Sequence, residues 1–182
     1  TTACSKIYAD FVPEYDATTV VHMKEAGAIV LGKAVCSEFA TIDPPPTLNP
    51  WNAEHTPGGS SGGSAVAVAS RMCAAAMGSQ TAGSILRPAA YNGVVGLKPT
   101  YGRVSRHGVF PLAWSLDTMG PITRNVEDAA IMLGVLAGHD PQDAASSTEP
   151  VPDYREGLTK LDRPPRIGLI RGPFFDRAVE EV

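Results

Sequence analysis

Lysine, aspartate and glutamate are absent from the 39 residues between Gly58 and Gly96. Only Arg71 and Arg87 carry charge there. The same window holds 8 of the 18 glycines and 6 serines. A stretch so small and uncharged is not a solvated face, so it is expected to be buried, with polar hydroxyls that need a reason to be inside. Other shortages set further bounds. The 182 residues carry 15 Lys+Arg against 19 Asp+Glu, a net charge of -4. This leaves no basic surface for direct nucleic-acid binding and no polybasic membrane patch. No apolar run approaches the ~18 residues of a membrane span, and no secretory leader pattern opens the chain. The three cysteines, Cys4, Cys36 and Cys73, are widely spaced, with no C-x-x-C. That usage suggests a reduced, cytoplasmic setting and no zinc site. Thr1 at one end and a helical pattern at Val182 at the other suggest one domain, residues 1–182, truncated at both ends.

Hydrophobic residues make up 43% of the chain and charged residues 19%, the balance of a globular protein. Asp16 is placed to cap a helix reaching Ala26, and Gly27 to stop it. The apolar run Ala28–Leu31 reads as a buried strand, and helix followed by buried strand is the α/β rhythm. Five prolines make 41–57 a loop. A short helix over Ser64–Ser70, a strand over Cys73–Met77 and a helical piece broken near Pro88 follow, and Gly93–Leu97 is extended. Asn125 caps the clearest helix, whose Val126, Ala129, Ala130, Leu133, Leu136 and Ala137 share a face. Residues 141–165 read as a surface connection. Arg166–Ile170 reads as a strand, and Asp176 as the cap of a last helix. The expected class is α/β, with a mixed β-sheet core flanked by helices.

Two Gly/Ser turns carry the chemistry, Gly58–Ser64 and Gly78–Ser84. The second can aim consecutive backbone N–H groups at one point, as an oxyanion hole requires, with Ser84 placed as a nucleophile at its end. Taken alone, a serine so placed is more often a helix cap than a nucleophile. A serine nucleophile needs a base. His22, His55, His107 and His139 sit in no recognisable triad context, and no G-x-S-x-G elbow occurs. The first turn offers another route, a second serine passing the proton to a neutral lysine. A flexible linker is its bland reading, but apolar sequence comes directly after it.

These segments resemble the amidase signature family. The resemblance runs through Pro57–Ser64, Gly78–Ala89 and Gly93–Arg103. It continues in Gly32-Lys33, Glu38-Phe39-Ala40, Asn49-Pro50-Trp51, Ser115-Leu116-Asp117 and Gly120–Arg124, so that nearly the whole chain is covered. It implies a hydrolase or amidotransferase that cleaves C–N amide bonds through a Ser–cis-Ser–Lys triad, on the incomplete α/β fold of that family. It assigns Ser84 as nucleophile, Ser60 as relay serine with a cis Gly59–Ser60 peptide, and Thr81, Ala82, Gly83 and Ser84 as the oxyanion hole. It implies no organic cofactor and no metal, a small-molecule amide as substrate, and either a homodimer or the subunits of a tRNA-dependent amidotransferase as partners. A catalytically inactive binding module is a further alternative.

Two departures stand out. The family's catalytic lysine lies in an upstream Gly-Val-x-x-Lys-Asp type segment that no lysine here matches. Lys33 and Lys98 belong to later motifs, so weak hydrolysis is expected of this chain alone. The commonest family form also has Asp where Gln80 stands and Arg where Leu86 stands. With Arg displaced to position 87, the two changes are expected to be coupled as the joint loss of a buried ion pair. Arg103, Arg106, Arg124 and Asp117 line a site or brace the fold, with bracing favoured for Arg124 and Asp117. Trp51 and Trp114 read as packing residues.

Overall fold

The computed structural model describes residues 1–160, 163–169 and 172–177. A three-stranded antiparallel sheet lies at its centre, built from β1 (Ala75–Gln80), β2 (Val95–Gly96) and β3 (Thr118–Thr123) in the order β1-β3-β2. Helices flank it: α1 (Thr18–Glu25), α2 (Gly62–Ala69), α3 (Leu86–Tyr91), α4 (Val126–Leu136), α5 (Tyr154–Gly157) and α6 (Pro173–Asp176). The α/β class expected from the sequence therefore holds. One apolar cluster joins α2 to the sheet through Ala65, Val68, Ile85 and Ile122. A second joins α4 through Val104, Met119, Met132, Leu133 and Leu136. No helix among the described residues is long and apolar enough to cross a membrane.

The central strand is the element the sequence reading missed. Gly120-Pro121 inside β3 looks like a turn, yet all six residues of the strand are buried. Pro121 is tolerated because of where its backbone faces. Its carbonyl accepts from Leu97 N–H at 3.0 Å, on the β2 side, so the ladder to β1 loses no donor. Pairing with β3 also moves β1 beyond the expected Cys73–Met77. Gly78, Ser79 and Gln80 are strand residues opposite Gly120, Met119 and Thr118, and the turn comes after them.

Other expectations are corrected. Ala28–Leu31 forms no strand and is exposed, Ile29 at 85%. An apolar run of this type needs cover on both faces, and the described residues supply none. Residues 166–169 likewise form no strand, with Ile167 89% exposed, and Ile170 lies outside the described residues. Asp16 does not cap α1. Ala17 occupies that position, and Asp16 pairs with Lys24 at 2.5 Å. Asp176 is the last residue of α6, and the helix expected after it lies outside the described residues. Pro88 does not break α3, because it sits in the first turn, where backbone N–H groups have no intrahelical acceptor. Asn125 does cap α4, its Oδ1 accepting from Asp128 N–H at 2.8 Å, but Val126 is exposed rather than on the buried face. The 141–165 connection is not all surface, since the Asp143 carboxylate is buried against Arg106.

Candidate functional site

Burial in the uncharged window is concentrated where the first turn lies. Pro57–Ala65 is buried throughout, whereas Ser70–Met72 is exposed. Small residues are required here because backbone meets backbone. A Cβ on Gly63 would lie 2.4 Å from the Val35 carbonyl oxygen. The Gly59–Ser60 peptide is cis.

Hydroxyls sew this turn to β1 and to the second turn. Ser64 Oγ donates to Met77 O at 2.7 Å. Ser61 Oγ donates to Ser79 O at 3.2 Å and accepts from Ser79 N–H at 3.1 Å. Ser61 N–H donates to Ser84 O at 3.2 Å. The turns that carry Ser60 and Ser84 are thus joined directly. Ser60 itself is 1% exposed, and its Oγ has no hydrogen-bond partner among the described residues. A buried hydroxyl left unpartnered is uncommon and calls for an explanation. Ser84 is half-buried at the start of α3.

The second turn is shaped by two side chains that the sequence reading did not place in these roles. Gln80 is buried, and its Oε1 accepts from both Ile85 N–H (2.8 Å) and Leu86 N–H (2.9 Å), while its Nε2 donates to Ala82 O (2.9 Å). One amide therefore ties the turn at both ends. Asp117 holds the other side: Oδ1 accepts from Thr81 Oγ1 at 2.5 Å, and Oδ2 accepts from Leu112 and Ala113 N–H at 2.7 and 2.8 Å. Between these anchors, the N–H groups of Thr81, Ala82, Gly83 and Ser84 find no acceptor among the described residues. A turn held from outside, with its own donors unengaged, can bind an oxyanion.

Arg87 is neither buried nor part of an ion pair among the described residues. It is exposed, and its Nε and Nη2 both donate to Gly59 O, at 3.1 and 2.7 Å. Gln80 and Arg87 thus act on the two turns separately. The signal that could have found them is chemical: glutamine, unlike aspartate, can both accept and donate within one turn.

The remaining candidates act elsewhere. Lys33 Nζ donates to Thr1 Oγ1 and Lys98 Nζ to Pro99 O, so neither lysine engages Ser60. Arg103 donates to Tyr154 Oη and to the carbonyls of Glu149 and Pro150. Arg124 donates to Cys73 O, and both arginines brace. Trp51 and Trp114 are not packed inside but 72% and 73% exposed. Trp51 Nε1 donates to Asn92 O, and Arg106 lies over the Trp114 ring at 6.0 Å. His22, His107 and His139 line a separate cavity of about 530 Å³ whose walls include neither serine turn.

The two serine turns therefore lie edge to edge, the first buried and the second partly exposed. The Amidase family matches residues 1–182, and the chain belongs to that family. It is 51% identical over 178 residues to a glutamyl-tRNA(Gln) amidotransferase subunit from Desulforapulum autotrophicum, covering 94% of this chain and 36% of that protein. The Geobacter metallireducens protein of the same name is 53% identical over 175 residues, covering 93% and 36%. Among solved structures, peptide amidase from Stenotrophomonas maltophilia superposes with a TM-score of 0.82 at 46% identity, over 87% of this chain and 35% of that one. The chain thus spans about a third of the length of the proteins it matches.

Proposed function

We propose that this chain carries the nucleophile and oxyanion hole of an enzyme that cleaves C–N amide bonds. The observation that carries the proposal is the turn Thr81–Ser84, whose N–H groups are unengaged among the described residues and whose Ser84 carbonyl is bonded to the residue after the unpartnered Ser60 hydroxyl. Ser84 Oγ attacks the amide carbonyl while Ser60 takes its proton. The N–H groups of Thr81, Ala82, Gly83 and Ser84 receive the charge that develops on the carbonyl oxygen. The amine departs with a proton, and water then releases the acyl group from Ser84. Neither Lys33 nor Lys98 engages Ser60, and the reading takes the final proton acceptor to be the upstream lysine that the family resemblance implies. The test is amide turnover by the whole enzyme carrying Ser84→Ala, with Ser60→Ala beside it. Each variant loses at least a thousandfold in kcat; normal turnover by Ser84→Ala refutes the assignment.

A second reading is supported by the curated relatives at 51–53% identity, which are named as a subunit of an amidotransferase. In that reading the amide is glutamine, the ammonia released passes to a second reaction, and the partners are the other subunits. Glutaminase activity that appears only when those subunits are added supports it. Equal hydrolysis of simple amides without them favours a stand-alone amidase.

A further inference from the structure

We propose that Cys4 and Cys36 form a redox site: a low-molecular-weight disulfide oxidises them to a Cys4–Cys36 disulfide that locks the N-terminal strap onto the segment bonded to Ser60. The two cysteines are 32 positions apart in sequence but adjacent in space. Residues 2–5 make a tight turn, with Ser5 N–H donating to Thr2 O at 2.9 Å and both Ala3 and Cys4 at positive φ (49° and 52°). The turn is pinned to residues 36–39 at two points. Phe39 N–H donates to Ala3 O at 2.9 Å, and Cys36 N–H donates to Cys4 Sγ at 3.0 Å. Both thiols are free and half-buried, within reach of a small solute.

The position matters because Ser37, next in the chain, bonds to the first serine turn. Ser37 is 2% exposed, and its N–H donates to Ser60 O at 3.0 Å. Ser37 Oγ also lies 3.0 Å from where a Cβ on Gly59 would stand. Cys4, Cys36, Ser37 and Ser60 therefore form one continuous line of contacts. The disulfide itself requires no assumption about catalysis. Only its bearing on Ser60 as a relay rests on the function proposed above.

Burial first, and then the neighbouring Cys4 thiol, push the Cys36 thiol up to about 12. Cys36 is therefore the poorer first nucleophile, and Cys4 is the attacking sulfur. Its thiolate attacks one sulfur of glutathione disulfide and expels one glutathione thiolate, leaving a mixed disulfide on Cys4. With Cys4 in the mixed disulfide, its hydrogen bond and charge no longer hold the Cys36 proton. That proton passes to the expelled thiolate, and the Cys36 sulfur displaces the second glutathione from Cys4. This glutathione leaves as a thiolate and takes up the proton that Cys4 had released. Two protein thiols lose two electrons and two protons, and one glutathione disulfide becomes two glutathione thiols.

The test is incubation of the full chain with glutathione disulfide under native conditions, followed by peptide mapping and amide hydrogen exchange. Cys4 and Cys36 peptides joined with a loss of ~2 Da, restored by a thiol reductant, are expected. Exchange at the Ser37 amide should slow at least severalfold. Cys4→Ser should abolish both changes, and Cys73→Ser should leave both in place. Glutathione adducts of roughly 305 Da on Cys4 or Cys36 without the joined peptides, or no reaction, overturn the site. Joined peptides with unchanged Ser37 exchange overturn the lock.

Discussion

Arg87 and Gly59 are joined by two hydrogen bonds to a single carbonyl oxygen, from Nε at 3.1 Å and Nη2 at 2.7 Å. The planar guanidinium thereby fixes the peptide that leads into Ser60. A hydrogen bond from a charged donor contributes about 1.5–3 kcal/mol. If that energy serves to align Ser60, Arg87→Ala in the whole enzyme lowers kcat roughly ten- to a hundredfold, with little change in KM. Added guanidinium should restore part of the lost rate, which a merely structural defect would not allow.

Arg106 and Asp143 form a buried ion pair at 2.9 Å, reinforced by Arg106 N–H donating to Asp143 Oδ2. Arg106→Leu leaves the carboxylate without its partner, so about 3 kcal/mol or more of stability is lost. Urea unfolding of the two proteins measures the difference. Equal midpoints would show that the pair contributes nothing.

Acid should reveal the same pair. The hydrogen bond from Arg106 is the main reason that Asp143 is held at about 2, below the usual carboxylate value of about 3.9. A carboxyl with a depressed folded-state value contributes stability that is complete above the unfolded value. That contribution is lost as pH falls through the folded one. The loss therefore falls between about pH 4 and pH 2. Asp140 adds to it. Burial pushes its carboxyl up, but hydrogen bonds from Ser105 and Thr18 outweigh this and leave it lowered. In Asp143→Asn, the fall in urea midpoint across this window should be shallower than in the wild type.

Two glycines should respond in opposite directions. A Cβ on Gly120 would lie 2.0 Å from Leu97 O, a backbone atom just after β2 in a residue whose N–H is bonded to Pro121 O. Gly120→Ala should cost about 4 kcal/mol or more, or prevent folding. Gly134 lies within α4, and nothing stands within 4 Å of its added Cβ. Gly134→Ala should stabilise by about 0.5–1 kcal/mol through helix propensity. Thermal melts check both.

The Asn125 cap is a smaller effect. Asn125→Ala removes the acceptor for Asp128 N–H and should cost about 1 kcal/mol. Asn125→Ser retains an acceptor without setting a second carboxylate against that of Asp128, and should recover most of the loss.

The parts of this molecule legible in its sequence are those set by local rules or by family motif. Asn125 caps the helix it precedes, and the two Gly/Ser turns meet as the family resemblance implies. What escaped depended on distant partners. The strand Thr118–Thr123 is hidden because Gly120-Pro121 spells a turn, and only its position between β1 and β2 makes the proline acceptable. Ala28–Leu31 has the hydropathy of a strand, but hydropathy cannot specify which residues would pair with it. The family pattern marks the departures at Gln80 and Leu86 but does not say what Gln80 and the neighbouring Arg87 bond to. In space those two side chains serve different turns, which only their directions decide.

The strand order β1-β3-β2 has a consequence for synthesis. A ribosome makes Ser60 and Ser84 before any residue of β3, yet among the described residues β1 and β2 have no sheet neighbour but Thr118–Thr123. The two serine turns therefore hang from a support that arrives more than thirty residues after Ser84 in sequence. A nascent chain halted between residues 84 and 118 already carries both serines but lacks the strand that joins β1 to β2 among the described residues.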